Sequence, residues 1–471
     1  MSVWADIHRR SNGETIRKED RVKVEEFLES IGAYGYTINP DNTVDVKGHI
    51  WIKDRELPNG MLPIRFRRIS GDFRCFNTNL ASLKGLPDEI EGDLYISNNK
   101  LTSLKGCPQK VGRYFSCSNN LIESLEGGPV EVAKGYDCSH NQLTSLEGCP
   151  KQVTAFECNH NRLLSLVGGP EEVSWDYKCN NNQLTSLEGC PSEISGDFDC
   201  SYNQITSLEY GPRTSKRNYN CSHNAITSLL GCPEKTGNFY CNDNLLTSLE
   251  GGPIEVYDKY YCNNNKLKSL DGAPEKISDG LFDCSNNQLQ SLKGGPKEIG
   301  ERFVNYSKFD CSHNLLTSLE GGPQGEAFEY LCNNNKLVSL EGSPSVIIKI
   351  FDCHSNQLKT LIGGPRVRGN YICHSNLLEN LEGCCNKSGY SSYIGGKLDC
   401  HSNKLVSLKG SPQVVGGEYG RVFDCSDNLL ESLEGCPEVV RGNFRCHSNK
   451  VKFSEASVNA LCRVWGKIKT E

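Results

Sequence analysis

The sequence predicts a repeat solenoid, in which short parallel strands stack one coil upon the next. Three observations predict it: a cysteine that recurs mostly every 20 to 22 residues, an aromatic residue two positions before most of these cysteines, and a Gly-x-Pro segment between them. A chain of 471 residues would otherwise suggest about three domains, but a solenoid lengthens without a globular size limit. With Ile96 in one slot, 18 repeats align, on Cys75, Cys117, Cys138, Cys158, Cys179, Cys200, Cys221, Cys241, Cys262, Cys284, Cys311, Cys332, Cys353, Cys373, Cys400, Cys425 and Cys446.

Each position of the repeat has a structural reason. In Phe156-x-Cys158 the two apolar residues are spaced by one, so both side chains lie on the face of a short strand that points into the coil. The Asn three residues after the cysteine, as in Asn141, has an amide able to satisfy backbone groups where the strand turns away. In the return segment, as in Gly148-Cys-Pro150, glycine permits unusual backbone angles and proline holds an extended path.

The resulting consensus, F/Y-x-C-x-x-N-x-L-x-S-L-x-G-x-P-x-x-V/I, matches the leucine-rich pattern L-x-L-x-x-N-x-L-x-x-L. An aromatic residue and a cysteine replace its first two leucines. The sequence therefore predicts a leucine-rich-repeat solenoid with a parallel β-sheet on the concave face, few or no helices on the convex side, and helical caps at both ends.

The two ends have the pattern of caps, which a solenoid needs to cover its terminal coils. Residues 1–62 predict an N-terminal cap: an amphipathic helix over 14–31 with Val22 on its apolar side, a turn between strands over 36–46, and a degenerate first coil around Ile50-x-Ile52. Residues 63–452 hold the solenoid of about 18 repeats. Residues 453–471 predict a capping helix that starts at Ser454 and continues to Ile468.

Composition excludes some classes of partner and compartment. The formal net charge of -7 disfavours nucleic acid, whose binding depends on clustered Lys and Arg. The sequence has no stretch of roughly 20 apolar residues that would cross a membrane and no apolar secretory signal at its start. Most of the 25 cysteines recur at one repeat position, as a core residue would, which favours a reducing cytoplasm over a disulfide framework.

The segments SLEGCP and SLEGGP followed by a C-x-x-N strand, with the TINPDNTVDV lead-in at residues 37–46, carry a family resemblance. The chain resembles leucine-rich-repeat proteins of large tailed bacteriophages and other large DNA viruses over nearly its whole length. It is more distantly similar to short-repeat effectors of Gram-negative pathogens, some of which carry a separate ubiquitin-ligase domain. Since only about 20 residues follow the last repeat, the resemblance implies a scaffold without that ligase domain.

Partner-binding residues are expected on the concave strand face, where repeat proteins usually bind. The position before the cysteine is mainly acidic, and eight of the ten histidines occupy the two positions after it. The predicted partner-binding residues are Asp137, His140, Glu157, His160, Asp199, Tyr202, His223, Asp283, Asp310, His313, Asp352, His354, His374, Asp399, His401, Asp424 and His447.

Metal and thiol chemistry are alternatives that these columns raise. His354, His374 and His401 share one column on three consecutive coils, a spacing that suits a divalent metal or a pH-sensitive contact. The competing interpretation, interchangeable polar residues on a solvated face, is favoured, so no metal and no cofactor are predicted. The strand cysteines are interpreted as small buried hydrophobes, and Cys384-Cys385 as an irregular loop and not a redox or metal site.

The leading hypothesis is a non-enzymatic scaffold that binds a host or viral protein, and the resemblance implies that the protein is viral. It depends on variable concave columns and on the lack of a Gly-rich phosphate loop, a Ser-His-Asp set or paired catalytic carboxylates. Two rivals are a virion structural or receptor-binding adhesion protein and, with less support, a metal- or redox-linked enzyme. The cytoplasm is the expected compartment, with incorporation into a virion as the alternative.

Overall fold

The computed structural model describes residues 18–300, 307–384 and 392–471. Cys385 of the Cys384-Cys385 pair therefore lies outside the described residues. The chain divides into an N-terminal unit, Met1–Ala225 with Gly231–Pro233, and a C-terminal unit, Ile226–Leu230 with Glu234–Glu471.

The N-terminal unit opens with helix α1, Lys18–Ser30, whose Val24 and Leu28 are fully buried. Val22, predicted on the apolar side, is 46% exposed because it lies outside the stripe defined by the buried positions 24 and 28. Strands β1, Tyr36–Ile38, and β2, Thr43–Val46, form an antiparallel pair, and β3, Ile50–Lys53, starts the parallel ladder of core strands.

Two ladders of parallel strands form the rest of the N-terminal unit. One carries the recurring cysteine and the other carries the Val or Ile of the return segment; a 3-10 turn spans Pro58–Gly60. In the first ladder, β5 includes the recurring cysteine and the later strands end one residue before that position. After β3 these strands are β5 Phe73–Phe76, β7 Leu94–Tyr95, β9 Phe115–Ser116, β11 Gly135–Asp137, β13 Ala155–Glu157, β15 Tyr177–Lys178, β16 Phe198–Asp199 and β17 Asn218–Asn220. The return strands are β4 Arg65–Ile69, β6 Glu89–Ile90, β8 Lys110–Val111, β10 Glu131–Val132, β12 Gln152–Val153 and β14 Glu172–Val173.

The C-terminal unit repeats this arrangement, and in four coils one longer strand covers both positions. These long strands are β18 Lys235–Tyr240, β19 Glu255–Tyr261, β24 Glu326–Leu331 and β25 Val346–Asp352. The remaining strands are β20 Lys276–Ile277, β21 Leu281–Asp283, β22 Glu298–Ile299, β23 Lys308–Asp310, β26 Arg366–Val367, β27 Asn370–Ile372, β28 Tyr393–Ile394, β29 Leu398–Asp399, β30 Val414–Val415, β31 Val422–Asp424, β32 Val439–Val440, β33 Asn443–Arg445, β34 Arg463–Val464 and β35 Ile468–Lys469.

The predicted fold class is confirmed in each unit. Successive coils pair in parallel and in register, so that Phe156 lies opposite Tyr177 in the N-terminal unit and Phe351 opposite Tyr371 in the C-terminal unit. The aromatic and cysteine positions are buried at every described coil, which places the core between the two ladders. Within the described part of 63–452 there is no α-helix.

The repeated asparagine has the role that the sequence predicts. The Nδ2 group of Asn182 donates to the carbonyl oxygen of Cys179 in its own coil, at 3.1 Å, and to that of Cys158 in the preceding coil, at 3.0 Å. Its Oδ1 accepts from the backbone N–H of Leu163 at 3.0 Å. One amide thus satisfies backbone groups of two coils at the point where the strands end.

The alternation of loop glycine and cysteine follows the residue that fills the aromatic slot. Every tyrosine in that slot follows a loop with glycine directly before its proline, which is Gly-Gly-Pro except for Tyr210-Gly211-Pro212 before Tyr219. The loops with Cys, Ala or Ser in that position precede Phe or Leu. A Cβ on Gly128 would lie 3.3 Å from the hydroxyl oxygen of Tyr136. The small loop residue therefore makes room for the buried tyrosine hydroxyl of its own coil.

The C-terminal cap differs from the prediction. Helix α2 covers only Glu455–Asn459, capped by Ser454, whose Oγ accepts from the N–H of Ser457. The predicted continuation to Ile468 is wrong, because the chain then forms β34 and β35, which pair with the ladders of the preceding coil. The apolar residues after Asn459 repeat the spacing of a return strand and a core strand, and continuation of both ladders replaces the helix.

Candidate functional site

The candidate site is the strand face, defined as the outward-pointing side chains one and three residues before the recurring cysteine and one and two residues after it. The first three of these positions alternate with the buried aromatic and cysteine positions along each strand, and the second position after the cysteine lies in the turn that follows. All of the predicted partner-binding residues belong to this face. They are divided between the two units and differ in how much of their hydrogen-bonding capacity the protein itself uses.

Most of the acidic column is engaged in local turns. In Asp137, for example, Oδ1 accepts from the backbone N–H and the hydroxyl of Ser139, at 3.0 and 2.6 Å. The same turn is made by Asp199, Asp283, Asp310 and Asp424 with the serine two residues later.

Burial and ion pairing limit this column further. Asp310, Asp399 and Asp424, which were predicted as partner-binding residues, are 7%, 3% and 6% exposed, so little of these three side chains is accessible to a partner. Glu157 lies 3.0 Å from the ammonium group of Lys178. Much of the acidity of the column is therefore used to hold the turns at the ends of the strands.

The second position after the cysteine has a backbone requirement that the sequence patterns did not reveal. Every such residue has a φ between 51° and 55°, in the left-handed region where Asn, Asp and His are enriched among non-glycine residues. The conformation explains the choice of residue at His140, His160, His223 and His313 without any ligand. Tyr202 adopts it as well.

Ring stacks follow from this register. In the N-terminal unit, the rings of His140 and His160 stack with centroids 4.1 Å apart, and those of Tyr202 and His223 do the same at 4.1 Å. Burial is the main cause that lowers the pKa of His160, and the nearby His140 is the second cause.

The C-terminal unit carries a longer stack, in the first position after the cysteine. The ring centroids of His354 and His374 are 4.4 Å apart and those of His374 and His401 are 4.3 Å apart, with interplanar angles of 21° and 25°. We call these three residues the imidazole stack. His447 lies in the same column, and its Nδ1 is 3.2 Å from the hydroxyl of Ser448.

Two aspartates orient the outer rings of the imidazole stack. His354 Nδ1 is 2.6 Å from Asp352 Oδ1, and His401 Nδ1 is 2.5 Å from Asp399 Oδ1. Because a carboxylate can only accept, each Nδ1 carries the hydrogen and the neutral ring keeps its lone pair on Nε2. Lys397 Nζ lies 2.5 Å from Asp399 Oδ2.

These neighbours also shift the titration of the site. Burial is the main cause that lowers the pKa of His374, with Asp399 opposing it and the adjacent histidines adding to it. Burial alone would raise the pKa of Asp399, but hydrogen bonds from His401 and Lys397 outweigh it and lower that pKa below its ordinary value.

The stack does not form a three-histidine metal site of the kind that the sequence raised. His374 separates the outer rings, so one ion cannot reach all three nitrogens at bonding distance. Among the described residues, the group with ligand atoms within 4.8 Å of one another is Asp399, His401 and Asp424. Its carboxylates already pair with Lys397 and with Arg445, which a cation would have to displace.

Sequence reasoning missed an apolar group beside the imidazole stack. Leu331, Ile350 and Ile372 are half-buried residues of the strand face, and we call them the aliphatic patch. Leu331 and Ile372 lie opposite Asp352 from either side, and Ile350 precedes Asp352 by two residues on the same strand face. The sequence did contain a signal for this patch, because its three residues are apolar at positions that are polar in most other coils.

Aromatic residues of the strand face were missed as well. The guanidinium carbon of Arg74 lies 5.7 Å from the ring centroid of Trp51 and 4.9 Å from that of Tyr95 in the N-terminal unit. In the C-terminal unit, the rings of Tyr240 and Tyr261 stack at 5.3 Å.

The strand cysteines have the character of core residues. Cys138 is fully buried, and burial raises the pKa of its thiol well above the usual range; Cys75 at the start of the ladder has its pKa raised to about 11 by the same cause. Such thiols stay protonated and poorly nucleophilic at neutral pH. The loop thiol of Cys384 is buried too.

Comparison with known proteins shows the fold. No protein-family model and no curated protein matches the chain. Among solved structures, YopM from Yersinia enterocolitica WA-314 is similar with a TM-score of 0.59 and 17% identity, covering 99% of this chain and 100% of that chain. The functional domain of InlJ from Listeria monocytogenes, which includes a cysteine ladder, matches at a TM-score of 0.41 and 18% identity over 62% of this chain and 64% of that chain.

YopM from Yersinia pestis, described as a leucine-rich effector protein, matches at a TM-score of 0.42 and 17% identity, over 69% of this chain and 86% of that chain. The similarity to the enterocolitica protein shows a shared leucine-rich-repeat fold. As to membranes, none of the helices in the described ranges has the length and apolar character to span a bilayer.

Proposed function

We propose that this protein is a non-enzymatic scaffold that binds a protein partner through the strand face of its C-terminal unit. The observation that carries the proposal is the aliphatic patch: three half-buried aliphatic side chains surrounded by polar and charged residues. Protein interfaces have this composition, with an apolar centre that supplies binding energy and a polar rim that excludes water. Leucine-rich-repeat proteins of similar fold support a protein partner in preference to nucleic acid or membrane.

The rim of the aliphatic patch is ordered by internal contacts. Lys349 Nζ lies 2.6 Å from Glu329 Oε1, and Asp352 is hydrogen-bonded to His354. Because these groups are already positioned, a partner that covers the patch loses little side-chain entropy on this surface. Ordered polar groups around an apolar centre favour one partner orientation over others.

The buried, protonated thiols and the engaged carboxylates support a binding role over catalysis, since neither set offers an activated nucleophile or a free acid–base pair. The burial of the recurring cysteines as core residues supports the cytoplasm of the producing or infected cell as the compartment. The resemblance to phage and viral repeat proteins supports a host or viral protein as the partner.

Affinity purification of the full chain, with quantified partner recovery, tests the proposal. Ile350→Lys combined with Ile372→Lys should abolish recovery, because burial of two ammonium groups without partners is costly. The matched control is Val422→Lys, which changes a half-buried aliphatic residue at the same repeat position as Ile350, outside the patch. Retained recovery in the double variant, with circular dichroism unchanged, would overturn the proposal.

A further inference from the structure

We propose that the His374 and His401 rings of the imidazole stack bind one divalent transition-metal ion of the imidazole-preferring class, Ni²⁺, Cu²⁺ or Zn²⁺, through their two Nε2 atoms. This site lies beside the aliphatic patch, and the inference does not rest on the proposed function. It uses two of the three histidines, and therefore differs from the three-histidine arrangement that the ring geometry excludes.

The first support is the protonation pattern. The hydrogen bond between His401 Nδ1 and Asp399 Oδ1, at 2.5 Å, places the hydrogen on Nδ1 and leaves the Nε2 lone pair available. Histidines that bind metals generally have this arrangement, in which a carboxylate holds the other ring nitrogen and increases the basicity of the ligand. His374 Nδ1 is similarly turned toward a protein group, the hydroxyl of Ser375, at 3.0 Å.

The second support is the availability of the two Nε2 atoms. Within the described residues, Nε2 of His374 and Nε2 of His401 have no hydrogen-bond partner, whereas Nε2 of His354 lies 3.4 Å from the amide nitrogen of Asn334. That amide also lies 3.3 Å from Nε2 of His313. The Asn334 amide thus donates to the Nε2 lone pair of His354, which leaves His374 and His401 as the two histidines available to a metal ion.

The third support is the distance. Nickel, copper and zinc bind imidazole nitrogens at about 2.0 to 2.1 Å, so two ligands on one ion lie roughly 3 Å apart. The ring centroids of His374 and His401 are 4.3 Å apart, and the rings are already inclined by 25°. Rotation of the two side chains that brings the Nε2 atoms to this separation and turns both lone pairs toward one ion completes the pair, with water filling the remaining coordination positions.

Lys397 does not compete with the ion, since it contacts the Asp399 carboxylate, which lies on the Nδ1 side of His401. The site therefore differs from the group of Asp399, His401 and Asp424, in which the cations Lys397 and Arg445 already satisfy the carboxylates.

Calorimetric titration of the chelator-treated full chain with Ni²⁺ tests the inference, because nickel prefers imidazole and the core thiols are buried and protonated. We expect one ion per chain. His374→Ala should lower the affinity at least tenfold, and Asp399→Asn should lower it by about 10- to 100-fold through the orientation of His401. His447→Ala is the matched control: it removes a histidine of the same column that has no stacked histidine neighbour, and should leave the affinity unchanged.

A spectroscopic measurement separates coordination from a structural effect of the substitutions. With Cu²⁺, the nitrogen hyperfine pattern should report two imidazoles in the wild type and one in His374→Ala. His140→Ala breaks the stacked pair of the N-terminal unit, which has no carboxylate behind it, and should not alter the pattern. Absence of stoichiometric Ni²⁺ binding, or binding that survives His374→Ala but is lost in His140→Ala, would overturn the inference.

Discussion

The pairing of loop glycine with core tyrosine predicts a measurable coupling between Gly128 and Tyr136. A Cβ at Gly128 would lie 2.8 Å from Leu104 Cδ1 and 3.3 Å from the Tyr136 hydroxyl oxygen. In Gly128→Cys the sulfur extends beyond Cβ into the space that the hydroxyl fills. Overpacking of this kind costs about 1 to 3 kcal/mol, so Gly128→Cys alone should lower stability by about 2 kcal/mol.

Removal of the hydroxyl should relieve that cost. The Tyr136 hydroxyl is buried and has no hydrogen-bond partner among the described residues. Tyr136→Phe removes a polar group whose burial is unfavourable and leaves a small void, so its net effect should be within about 1 kcal/mol of zero. The double variant reproduces the pairing of Cys149 with Phe156 in the next coil, where a cysteine fits the same slot.

A double-mutant cycle measures the coupling. Because long repeat arrays do not always unfold in one step, local stability over residues 120–160 should be followed by hydrogen exchange alongside urea unfolding. We expect a coupling energy of about 1 to 2 kcal/mol. Gly295→Cys is the control, since Gly295 precedes Phe309, and its added Cβ would meet leucine atoms and no hydroxyl. An equal cost of Gly128→Cys with and without Tyr136 would refute the reasoning.

Three further predictions concern the ladder, the stack and the cap. Asn182→Ala should cost about 3 kcal/mol in urea unfolding, because it leaves buried backbone groups of two coils unsatisfied, whereas exposed Gln183→Ala should cost little. His374→Gln should flatten the decline in stability on acidification from about pH 6.5: the folded-state pKa is depressed, so the unfolded wild type takes up the proton first. Ser454→Ala should cost about 1 kcal/mol and increase hydrogen exchange in Glu455–Asn459.

The repeat pattern predicts the fold well because each interior position is dictated by local geometry. Alternation of Phe156 and Cys158 defines a strand with one buried face, and Asn182 sits where backbone groups need a partner. The chain end was harder to predict. Trp465 and Ile468 have a spacing that fits a helix as well as two short strands, and pairing with β32 and β33 decides between them through contacts distant in sequence.

The strand face could be located from the sequence but not resolved into roles. The sequence places Asp310 and Asp352 in one acidic column, yet their carboxylates have different partners. Asp310 is buried and accepts from the hydroxyl of Ser312, whereas Asp352 accepts from the imidazole of His354. The left-handed backbone at His313 is equally invisible in composition, although the frequency of Asn and His there is its signature. The aliphatic patch was overlooked because single apolar residues on polar columns carry no periodic signal.

The aspartate turn explains how the face can change its chemistry without changing its backbone. In Asp424-Cys-Ser426 the carboxylate accepts from the serine N–H and hydroxyl, and in Asp399-Cys-His401 the same carboxylate oxygen accepts from the ring Nδ1. Replacement of the serine by histidine therefore exchanges one hydrogen-bond donor for another at an unchanged turn.

Ser426→His tests this exchange, because His401 and His447 occupy the same column on the coils at either side. Stability should change by less than about 1 kcal/mol, since the new ring replaces the serine donor and stacks between two existing rings. Ni²⁺ capacity should rise from one ion to two per chain, because the enlarged stack holds two separate adjacent pairs. A loss above about 2 kcal/mol would show that serine and histidine are not interchangeable at this turn. An unchanged capacity with an intact fold would show that stacking by itself does not create a site, and that the orientation of each ring decides whether it binds.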